Sequence, residues 1–330
     1  MSQLSPVIPQ SGSAPLGDPL NGVVRIGTDC SGIEAPLQAL QPLGISHHHV
    51  FSSDIDKYAI QSINANYDPD IIFGDITKRD TNDVPDIDIY VCGFPCQAFS
   101  IAGKRKGFED TRGNVFWSCL EVIKEKEPKL FILENVKGLL NHDKGRTFKR
   151  IIEELESLED YTVHYQVLNT KNYGIPQSRS RVFIIGFRVD IQIEPFSFPQ
   201  PLEMNDLADY IDESDCSSRH LPPRVAKVDY MSKLPENSKF VDFSLYGNST
   251  FPNSDTVCSC ICRKSEMWCV PKSRFATCGE LLTLQGFPED FNQVVSNTQM
   301  KRQIGNSMSV NVLKEIFKEC FKAVRDPLID

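Results

Sequence analysis

Short apolar runs alternate with amphipathic stretches along residues 23–190. The apolar runs have the length of buried strands and are V-V-R-I-G-T-D, H-V-F-S-S-D, I-D-I-Y-V-C, K-L-F-I-L-E-N and R-V-F-I-I-G-F. Segments with the periodicity of amphipathic helices lie between them, at 35–43, 57–66, 114–127 and 146–158. Strands that are apolar on both faces are typical of a parallel sheet covered by helices. The alternation therefore predicts an α/β fold with a doubly wound, mostly parallel sheet.

The pattern changes after residue 190. Prolines cluster between residues 195 and 223, and the stretch L-E-M-N-D-L-A-D-Y-I-D-E-S-D contains six acidic residues and no basic one. We interpret residues 191–295 as a smaller inserted domain of irregular strands and loops. Residues 296–330, with an amphipathic helix at about 310–324, are expected to return to the first domain at 23–190. Residues 1–22 are rich in Ser, Pro and Gly and are expected to form a disordered tail.

Composition narrows the class of protein. The 330-residue chain is 40% hydrophobic and 24% charged, with a net charge of −9, so a polyanionic partner would need a local basic surface. Apolar runs fall short of the roughly 18 residues that span a bilayer, and the N-terminus has no signal-peptide pattern. The eleven cysteines, an odd number without paired spacing, favour a reducing compartment over a disulfide framework. We therefore expect an intracellular protein, in a prokaryotic cytoplasm or in the nucleus or cytoplasm of a host cell.

Candidate chemistry falls at one edge of the predicted sheet. Ligands of open α/β sheets bind at the carboxyl ends of the strands. The segments that follow those ends are Asp29-Cys30-Ser31-Gly32, Asp54-Ile55-Asp56, Gly93-Phe94-Pro95-Cys96 and Glu134-Asn135. Their thiol, carboxyl and amide groups predict a functional site at this edge.

Cys96 has three interpretations from its sequence context: a core residue, half of a redox or metal pair with Cys92, or a nucleophile. Pro95 fixes φ and has no N–H, so Cys96 begins a stiff turn after a strand. A basic, glycine-punctuated loop follows at 101–114, and Q-S-R-S-R comes later. Positive potential favours a thiolate, the reactive form of cysteine. Cys92 is assigned to the core, and the Cys92–Cys96 pair has unusual spacing for metal or redox chemistry.

Five segments, in order, resemble the DNA (cytosine-5)-methyltransferase family. They are G-F-P-C-Q-A-F-S-I-A-G-K-R-K-G-F-E-D-T-R-G, F-I-L-E-N-V-K-G-L-L, Y-G-I-P-Q-S-R-S-R-V-F-I-I-G-F, E-L-L-T-L-Q-G-F-P and Q-I-G-N-S-M-S-V-N-V-L. The resemblance runs from residue 26 to about 317 and leaves 190–270 unmatched. It implies a Rossmann-like methyltransferase sheet with an inserted target-recognition domain. It also implies methyl transfer from S-adenosylmethionine to carbon 5 of cytosine in duplex DNA.

The resemblance assigns the catalytic residues. Cys96 matches the thiolate that adds to carbon 6 of a flipped cytosine, and Glu134 matches the glutamate at ring nitrogen 3 and the exocyclic amine. Glu134 must donate a proton there, so a raised pKa would help. Arg179 and Arg181 match the pair that holds the base oxygen, the glutamate and the target phosphate. Without the motif, Glu134 would be an ordinary strand-end carboxylate that caps a helix. Surface solvation is a weaker alternative for the two arginines, because they adjoin a buried strand.

The resemblance also implies the cofactor site. The turn T-D-C-S-G-I-E-A-P departs from the family pattern, with Cys30 in place of an aromatic residue and Glu34-Ala35 in place of two glycines. Asp54 is expected on the ribose hydroxyls, Ile55 against adenine and Asp75 on the adenine amine, although helix N-capping alone would explain either aspartate. The full expected cofactor set is Cys30, Ser31, Gly32, Ile33, Glu34, Asp54, Ile55, Asp75, Ile76, Pro95, Asn306 and Ser307.

The expected DNA contacts are Gln97, Ser100, Lys104, Arg105 and Lys106, on an enzyme that acts as a monomer. Two alternatives remain: an RNA cytosine-5 methyltransferase, and a catalytically silent DNA-binding relative. The A-F-S that follows Pro-Cys-Gln resembles the DNA enzymes, whereas the RNA branch has Pro-Phe-Thr. No metal is expected, because the cluster of Cys258, Cys260, Cys262 and Cys269 lacks the Cys-x2-Cys spacing of zinc sites.

Overall fold

The fold is described from a computed structural model, which places residues 23–95, 114–215, 234–245 and 254–324. The expected nucleophile and DNA contacts lie outside these described residues, as does the N-terminal tail. They are Cys96, Gln97, Ser100, Lys104, Arg105, Lys106 and residues 1–22. Their roles therefore stay predictions, and the structure bears on the residues around them.

A seven-stranded sheet forms the centre of the described part of the chain. Its strands are β1 (Val24–Asp29), β2 (His47–Ser53), β3 (Ile71–Phe73), β4 (Ile89–Cys92), β5 (Leu130–Val136), β6 (Tyr161–Asn169) and β8 (Ser180–Arg188). The strand order is β3-β2-β1-β4-β5-β8-β6. Pairs from β3 to β5 are parallel, whereas β8 is antiparallel to both β5 and β6. The prediction of a mostly parallel sheet is confirmed.

Helices connect the strands and follow the inserted region. They are α1 (Ala35–Leu40), α2 (Lys57–Asn66), α3 (Asn114–Lys126), α4 (Arg146–Glu156), α5 (Cys278–Thr283), α6 (Asn297–Asn306) and α7 (Val310–Ala323). Short 3₁₀ segments include Gln41–Leu43, which completes the predicted first helix, and Ile76–Lys78. In the part of the chain that the structure describes, the helices are too short or too polar to cross a membrane.

Apolar side chains bury both faces of the sheet. Along β4, Ile89 and Val91 belong to one core, while Tyr90 and Cys92 belong to the core on the opposite face. Successive residues of a strand point to opposite faces, so four consecutive apolar positions serve two cores. This is the doubly wound arrangement that the apolar runs predict, and it confirms Cys92 as a core residue.

Two strands of the sheet were missed by the periodicity argument. β3 has only three residues, too few for a pattern to be visible. β6 lies at the sheet edge and reads Y-T-V-H-Y-Q-V-L-N, with half-exposed and exposed positions along most of its length. An edge strand has a neighbouring strand on one side only and is less covered by the rest of the protein. Polar side chains are therefore tolerated along it.

The region after residue 190 contains small, separate pieces of sheet. β9 (Phe240–Asp242), β11 (Met267–Cys269) and β12 (Arg274–Phe275) form a three-stranded antiparallel sheet around Trp268. The two-residue β10 (Cys258–Ser259) pairs with β7 (Gln177–Ser178), which precedes β8. The C-terminal α7 packs against α1 of the first domain. The irregular strands match expectation, and the domain boundaries stay predictions.

Candidate active site

The ends of four strands meet at one edge of the sheet. Asp29, the last residue of β1, pairs with Ser53 on β2 and with Cys92 on β4, and Cys92 in turn pairs with Leu133 on β5. The loops after these parallel strands therefore leave the sheet side by side. The four segments singled out from the sequence are neighbours here, and the site is built from them.

The first loop is a tight turn with left-handed backbone at alternate residues. Cys30, Gly32 and Glu34 have φ values of 52°, 59° and 58°. A side chain rarely adopts this conformation, so Cys30 and Glu34 are strained and Gly32 is not. Ser31 fastens the turn to β2, since its Oγ accepts from Ser53 N at 2.8 Å. The turn is thus held rigidly with its backbone facing the sheet edge.

The side chains of Ile33 and Glu34 face the interior of the protein. Glu34 is 0% exposed, and its Oε1 accepts hydrogen bonds from Thr28 Oγ1 at 2.6 Å and Ser52 Oγ at 2.5 Å. His49 Nε2 lies 3.5 Å from the same oxygen. The glutamate that stands in place of a glycine of the family pattern adds no bulk at the surface of the turn, because its carboxyl turns inward to these partners. Contact between either residue and a cofactor would come from the backbone.

Asp54 carries the hydrogen bonds that join the first two loops. Its Oδ2 accepts from Gly32 N at 2.9 Å and its Oδ1 from Asp56 N at 2.8 Å. Burial raises the pKa of Asp54, and these two N–H donors oppose the shift. A carboxylate has about four lone-pair sites, so Asp54 retains acceptor capacity for hydroxyl groups. Asp56, rather than Asp54, caps α2.

The predicted adenine contacts differ in exposure. Ile55 is 80% exposed, so its side chain offers apolar surface at this end of the sheet. Ile76 is buried in the core and offers little side-chain surface. Asp75, directly before it in the chain, caps a 3₁₀ turn through Thr77 N at 3.0 Å and pairs with Lys78 Nζ at 3.2 Å. The hydrogen bond from the Thr77 hydroxyl is the largest cause that lowers the pKa of Asp75.

Arg79 links the Asp75 segment to the first loop and was missed in the sequence. Its guanidinium makes two hydrogen bonds to Asp29, at 3.0 and 2.8 Å, and lies over the ring of Phe73 at 4.8 Å. Tyr90 donates to the same carboxylate at 2.7 Å. A buried carboxylate needs such partners, and this pairing fixes the position of Asp75 relative to the turn.

Glu134 and Arg181 form a buried ion pair at the end of β5. Arg181 Nε lies 3.1 Å from Glu134 Oε1, although the N–H is not directed at that oxygen. Burial raises the pKa of Glu134, and the nearby charges of Arg181 and Arg179 oppose the shift. The strand pairing accounts for the proximity, since Arg181 on β8 is paired with Val136 on β5. The result is a carboxyl group that holds its proton more readily than an exposed glutamate.

Arg179 is a structural centre of the site. It is 2% exposed, and it donates to Ile261 O at 2.8 Å and to Ser307 O. Burial lowers the pKa of Arg179, with Arg181 adding to the effect. Its side chain thereby joins β7–β8 to the inserted region and to the end of α6. Ser307, expected at the cofactor, meets Arg179 through its carbonyl, while Asn306 is exposed.

A pair of buried glutamines extends this network and was also missed. Gln177 Nε2 donates to Gln285 Oε1 and to Leu284 O, both at 2.8 Å, and Gln177 Oε1 accepts from Ile261 N at 3.0 Å. Gln285 Nε2 in turn donates to Ile304 O at 2.8 Å. Gln177 begins Q-S-R-S-R and Gln285 lies in L-Q-G-F-P, so both matched segments contribute to one polar core.

The segment that leads to Cys96 is fixed up to its proline. Asn135 Nδ2 donates to Phe94 O at 3.0 Å, and Asn135 Oδ1 accepts from Val136 N. A Cβ on Gly93 would lie 2.8 Å from Met308 Cε and 3.7 Å from Glu134 Oε2. Gly93 thus permits close packing beside Glu134, and Pro95 leads directly into the predicted nucleophile.

The comparisons with known proteins agree with this geometry. A sequence model of the C-5 cytosine-specific DNA methylases matches residues 28–322. The chain belongs to that family. The Type II methyltransferase M.NgoBI of Neisseria gonorrhoeae is 41% identical over 282 residues, covering 82% of this chain and 86% of that protein. M.SsoII of Shigella sonnei is 42% identical over 276 residues, covering 81% and 72%.

Solved structures share the fold. The S. pombe Dnmt2 methyltransferase superimposes with a TM-score of 0.69 at 22% identity, covering 93% of this chain and 100% of that one. The Entamoeba histolytica methyltransferase EhMeth gives 0.66 at 17%, covering 91% and 98%. Family membership makes this chain a DNA (cytosine-5) methyltransferase that uses S-adenosylmethionine. The individual site roles are matters of proposal.

Proposed function

We propose that Cys96 is the nucleophile of this methyltransferase. Carbon 5 of cytosine is a poor nucleophile, and addition of a thiolate to carbon 6 turns the ring into an enamine whose carbon 5 can attack a methyl group. The described residues that precede Cys96, together with Glu134, support this role. Gly93, Phe94 and Pro95 are held against β5, and Glu134 Oε2 lies beside Gly93. The thiol would follow within one residue of this fixed segment.

The observation that carries the proposal is the buried, protonation-prone Glu134. As Cys96 adds to carbon 6, negative charge develops on the ring and reaches nitrogen 3. Glu134 donates a proton to nitrogen 3, and its raised pKa supports that direction of transfer. Arg181 holds the carboxyl in place through the 3.1 Å ion pair and stabilises the carboxylate that remains. After methyl transfer a base removes the proton from carbon 5, the Cys96 thiolate leaves, and the proton on nitrogen 3 returns to Glu134.

Arg179 acts by positioning. Its hydrogen bonds to Ile261 O and Ser307 O are both internal to the protein, which favours a role in shaping the base pocket over a direct grip on phosphate. We assign direct contact with the target to Arg181, whose side chain is less buried than that of Arg179.

The residues at the strand ends fit S-adenosylmethionine. When bound, the cofactor supplies an electrophilic methyl group. Asp54 has lone pairs free for ribose hydroxyls, and exposed Ile55 offers an apolar surface for adenine. A Cβ built on Gly32 has no atom within 4 Å among the described residues, so the turn leaves room beside its backbone. Asp75 retains acceptor capacity for the adenine amine, in competition with Lys78.

The substrate is a cytosine that leaves the duplex. Carbon 6 of a stacked base is shielded, so base flipping at a cost of a few kcal/mol is required. We propose that the protein acts as a monomer, that residues 104–106 contact phosphates, and that residues 191–295 choose the target sequence. This division gives the basic loop affinity and the inserted region specificity.

One experiment separates the proposed function from its two alternatives. The protein is incubated with methyl-labelled S-adenosylmethionine and either duplex DNA or transfer RNA, and labelled 5-methylcytosine is measured. DNA labelling that exceeds RNA labelling by at least an order of magnitude supports the proposal. The reverse ratio identifies an RNA enzyme, and cofactor binding without label in either nucleic acid identifies a silent relative.

A further inference from the structure

Two thiols of the inserted region face each other close to Arg179 and Arg181. Cys260 Sγ and Cys262 Sγ are 3.7 Å apart, with Cys262 exposed and Cys260 half-buried. Ile261, between them, is fully buried in the core. The two thiols are close enough for the Cys262 thiol to donate a hydrogen bond to Cys260 Sγ. The hydrogen bonds from Arg179 to Ile261 O and from Ile261 N to Gln177 hold this geometry.

The two thiols have unequal electrostatic surroundings. Arg179 Nη1 lies 3.5 Å from Cys260 Sγ, and Arg181 Nη2 lies 3.9 Å from it. The hydrogen bond from Cys262 and then the two arginines lower the pKa of Cys260 to about 5. The pKa of Cys262 is raised, because its proton is shared with the neighbouring sulfur and it is partly desolvated. The proximity of both arginines favours Cys260 as the nucleophilic thiolate and Cys262 as the thiol beside it.

Methyl transfer as proposed above does not use this pair. We propose that Cys260 and Cys262 form a redox site that reacts with low-molecular-weight disulfides, of which glutathione disulfide is the probe, and closes to an intramolecular disulfide. Cys262 is exposed and Cys260 beside it is half-buried, so a small disulfide can reach the pair. A short ring between alternate residues is expected to be strained and readily reduced again. These properties are those of a reversible bridge.

The exchange takes two steps. Cys260 thiolate attacks one sulfur of glutathione disulfide, the S–S bond breaks, and a glutathione thiolate leaves and takes a proton from solvent. Cys262 then loses its proton to solvent and attacks Cys260 Sγ, which expels the second glutathione thiolate. Two protein thiols are oxidised, and one glutathione disulfide is reduced to two molecules of glutathione.

The bridge would change the charge around Glu134. The Cys260 thiolate adds to the shift that raises the pKa of Glu134, and a neutral disulfide removes that contribution. The bridge would also remove the negative charge of the Cys260 thiolate from beside Arg181, which would keep Glu134 as its anionic neighbour. On the role given to Glu134 in the proposed function, the bridged protein should methylate DNA more slowly at neutral pH.

The chemical test follows one tryptic peptide. Full-length protein is incubated in glutathione and glutathione disulfide at graded ratios, quenched in acid, denatured, alkylated and digested. The peptide spanning 240–263 contains Cys258, Cys260 and Cys262. We expect it to lose two alkyl groups, with fragment ions that place the bridge between Cys260 and Cys262. Cys258, which is fully buried, should stay alkylatable as an internal control, and dithiothreitol should reverse the change.

Two variants assign the roles of the sulfurs. Cys262→Ser should stop the reaction at a mixed glutathione disulfide on Cys260, and Cys260→Ser should leave Cys262 slower to react by at least tenfold at pH 6. Cys278→Ser, in a thiol remote from the pair in sequence and donating to Asn297 O, should behave as the unmodified protein. Both thiols remaining alkylatable, or a bridge to Cys258 or to the 80–104 peptide that contains Cys96, would overturn the proposal.

Activity is measured on the same samples, with Cys96 followed in the 80–104 peptide. Turnover that falls in step with the bridge, while Cys96 stays alkylatable, supports the link to Glu134. A bridge with unchanged turnover refutes that link and leaves the redox site in place. Reduced protein without turnover counts against the proposed function alone, since bridge formation is read by mass.

Discussion

Replacing each arginine of the pair by methionine should separate a positioning role from an electrostatic one. Methionine keeps much of the volume of arginine and removes its donors and its charge. Arg179→Met removes the donor to Ile261 O at 2.8 Å and the donor to Ser307 O. Arg181→Met removes the ion pair with Glu134 and a hydrogen bond to the neighbouring Ser180 O.

The magnitude for Arg179→Met follows from the carbonyls that remain. A buried carbonyl that accepts no hydrogen bond costs about 1–3 kcal/mol. Arg179→Met would leave Ile261 O without its main donor. Ser307 O keeps a donor from Gln285 Nε2 at 3.3 Å, so removal of the arginine there costs about 1 kcal/mol. Relief of the repulsion from Arg181 and of a buried charge offsets roughly 1 kcal/mol. We expect a net destabilisation of about 2 kcal/mol that is already present near pH 5 and increases with pH, because Arg179 also opposes the raised pKa of Glu134.

Arg181→Met should behave differently, because Glu134 can respond by taking a proton. The pKa of Glu134 is already raised in the folded protein, and Arg181 opposes that shift. Without Arg181 the folded pKa rises further. A raised carboxyl pKa reduces stability as pH increases between the unfolded and folded values, so the deficit of the variant appears only above the wild-type pKa. Each further unit of pKa adds about 1.4 kcal/mol at high pH.

Urea unfolding at several pH values measures both effects. For Arg179→Met, a loss of about 2 kcal/mol with a slope near 3 kcal/mol/M lowers the midpoint by about 0.7 M already near pH 5. For Arg181→Met, the midpoint should approach the wild-type value near pH 5 and fall below it as pH increases. A pH-independent deficit for Arg181→Met, or an unchanged midpoint for Arg179→Met, would refute this reasoning.

Three further predictions concern cofactor binding, DNA binding and the close packing at Gly305. Asp75→Ala should weaken S-adenosylmethionine binding by an order of magnitude or more, roughly 1.5–3 kcal/mol, and unchanged affinity by calorimetry in a folded variant would contradict the assignment. Replacing residues 104–106 by alanine should reduce the salt slope of DNA binding by about 0.9 for each phosphate that is no longer neutralised and leave the target sequence unchanged; an altered target sequence with the slope intact would show that the loop reads bases. Gly305→Ala should lower the thermal midpoint and the rate of methyl transfer, since a Cβ there would lie 2.2 Å from the carbonyl carbon of Cys262, and an unchanged midpoint would contradict that close packing.

The sequence predicted the parts of the fold that depend on local pattern. Continuous apolar runs such as I-D-I-Y-V-C identified the central strands, because both faces of those strands are buried. β6 was missed because many of its positions are polar and at least half-exposed, as the edge of a sheet permits. The antiparallel direction of β8 also has no local signal, since apolar content does not record the direction of pairing.

The candidate site was predictable where strand ends bring residues together. Asp54, Glu134 and the Gly93–Pro95 segment all lie at the expected edge. The supporting contacts were not predictable, because they join residues far apart in sequence: Arg79 with Asp29, and Arg179 with Ile261 and Ser307. Glu34 was expected at the cofactor from its place in the turn, and only the partners Thr28 and Ser52 explain why its carboxyl turns inward.

The reactivity of the Cys260–Cys262 pair also could not be predicted from the sequence. From the sequence, alternate cysteines in V-C-S-C-I-C-R could only be judged against zinc spacing. Their proximity to Arg179 and Arg181 depends on the pairing of β10 with β7, which brings the inserted region to the end of the central sheet. The reactivity proposed for Cys260 therefore depends on tertiary contacts with the two arginines as well as on its chain neighbour Cys262.

Covalent trapping is the most direct test that Cys96 is the nucleophile. A duplex that carries 5-fluorocytosine at the target is incubated with the protein and S-adenosylmethionine, because fluorine at carbon 5 cannot leave as a proton does. We predict a denaturant-resistant complex that requires the cofactor and maps to Cys96 in the 80–104 peptide. The complex should be absent in Cys96→Ala and present in Cys92→Ala. A protein that methylates unmodified DNA yet forms no such complex, or forms it through another cysteine, would contradict the assignment of Cys96.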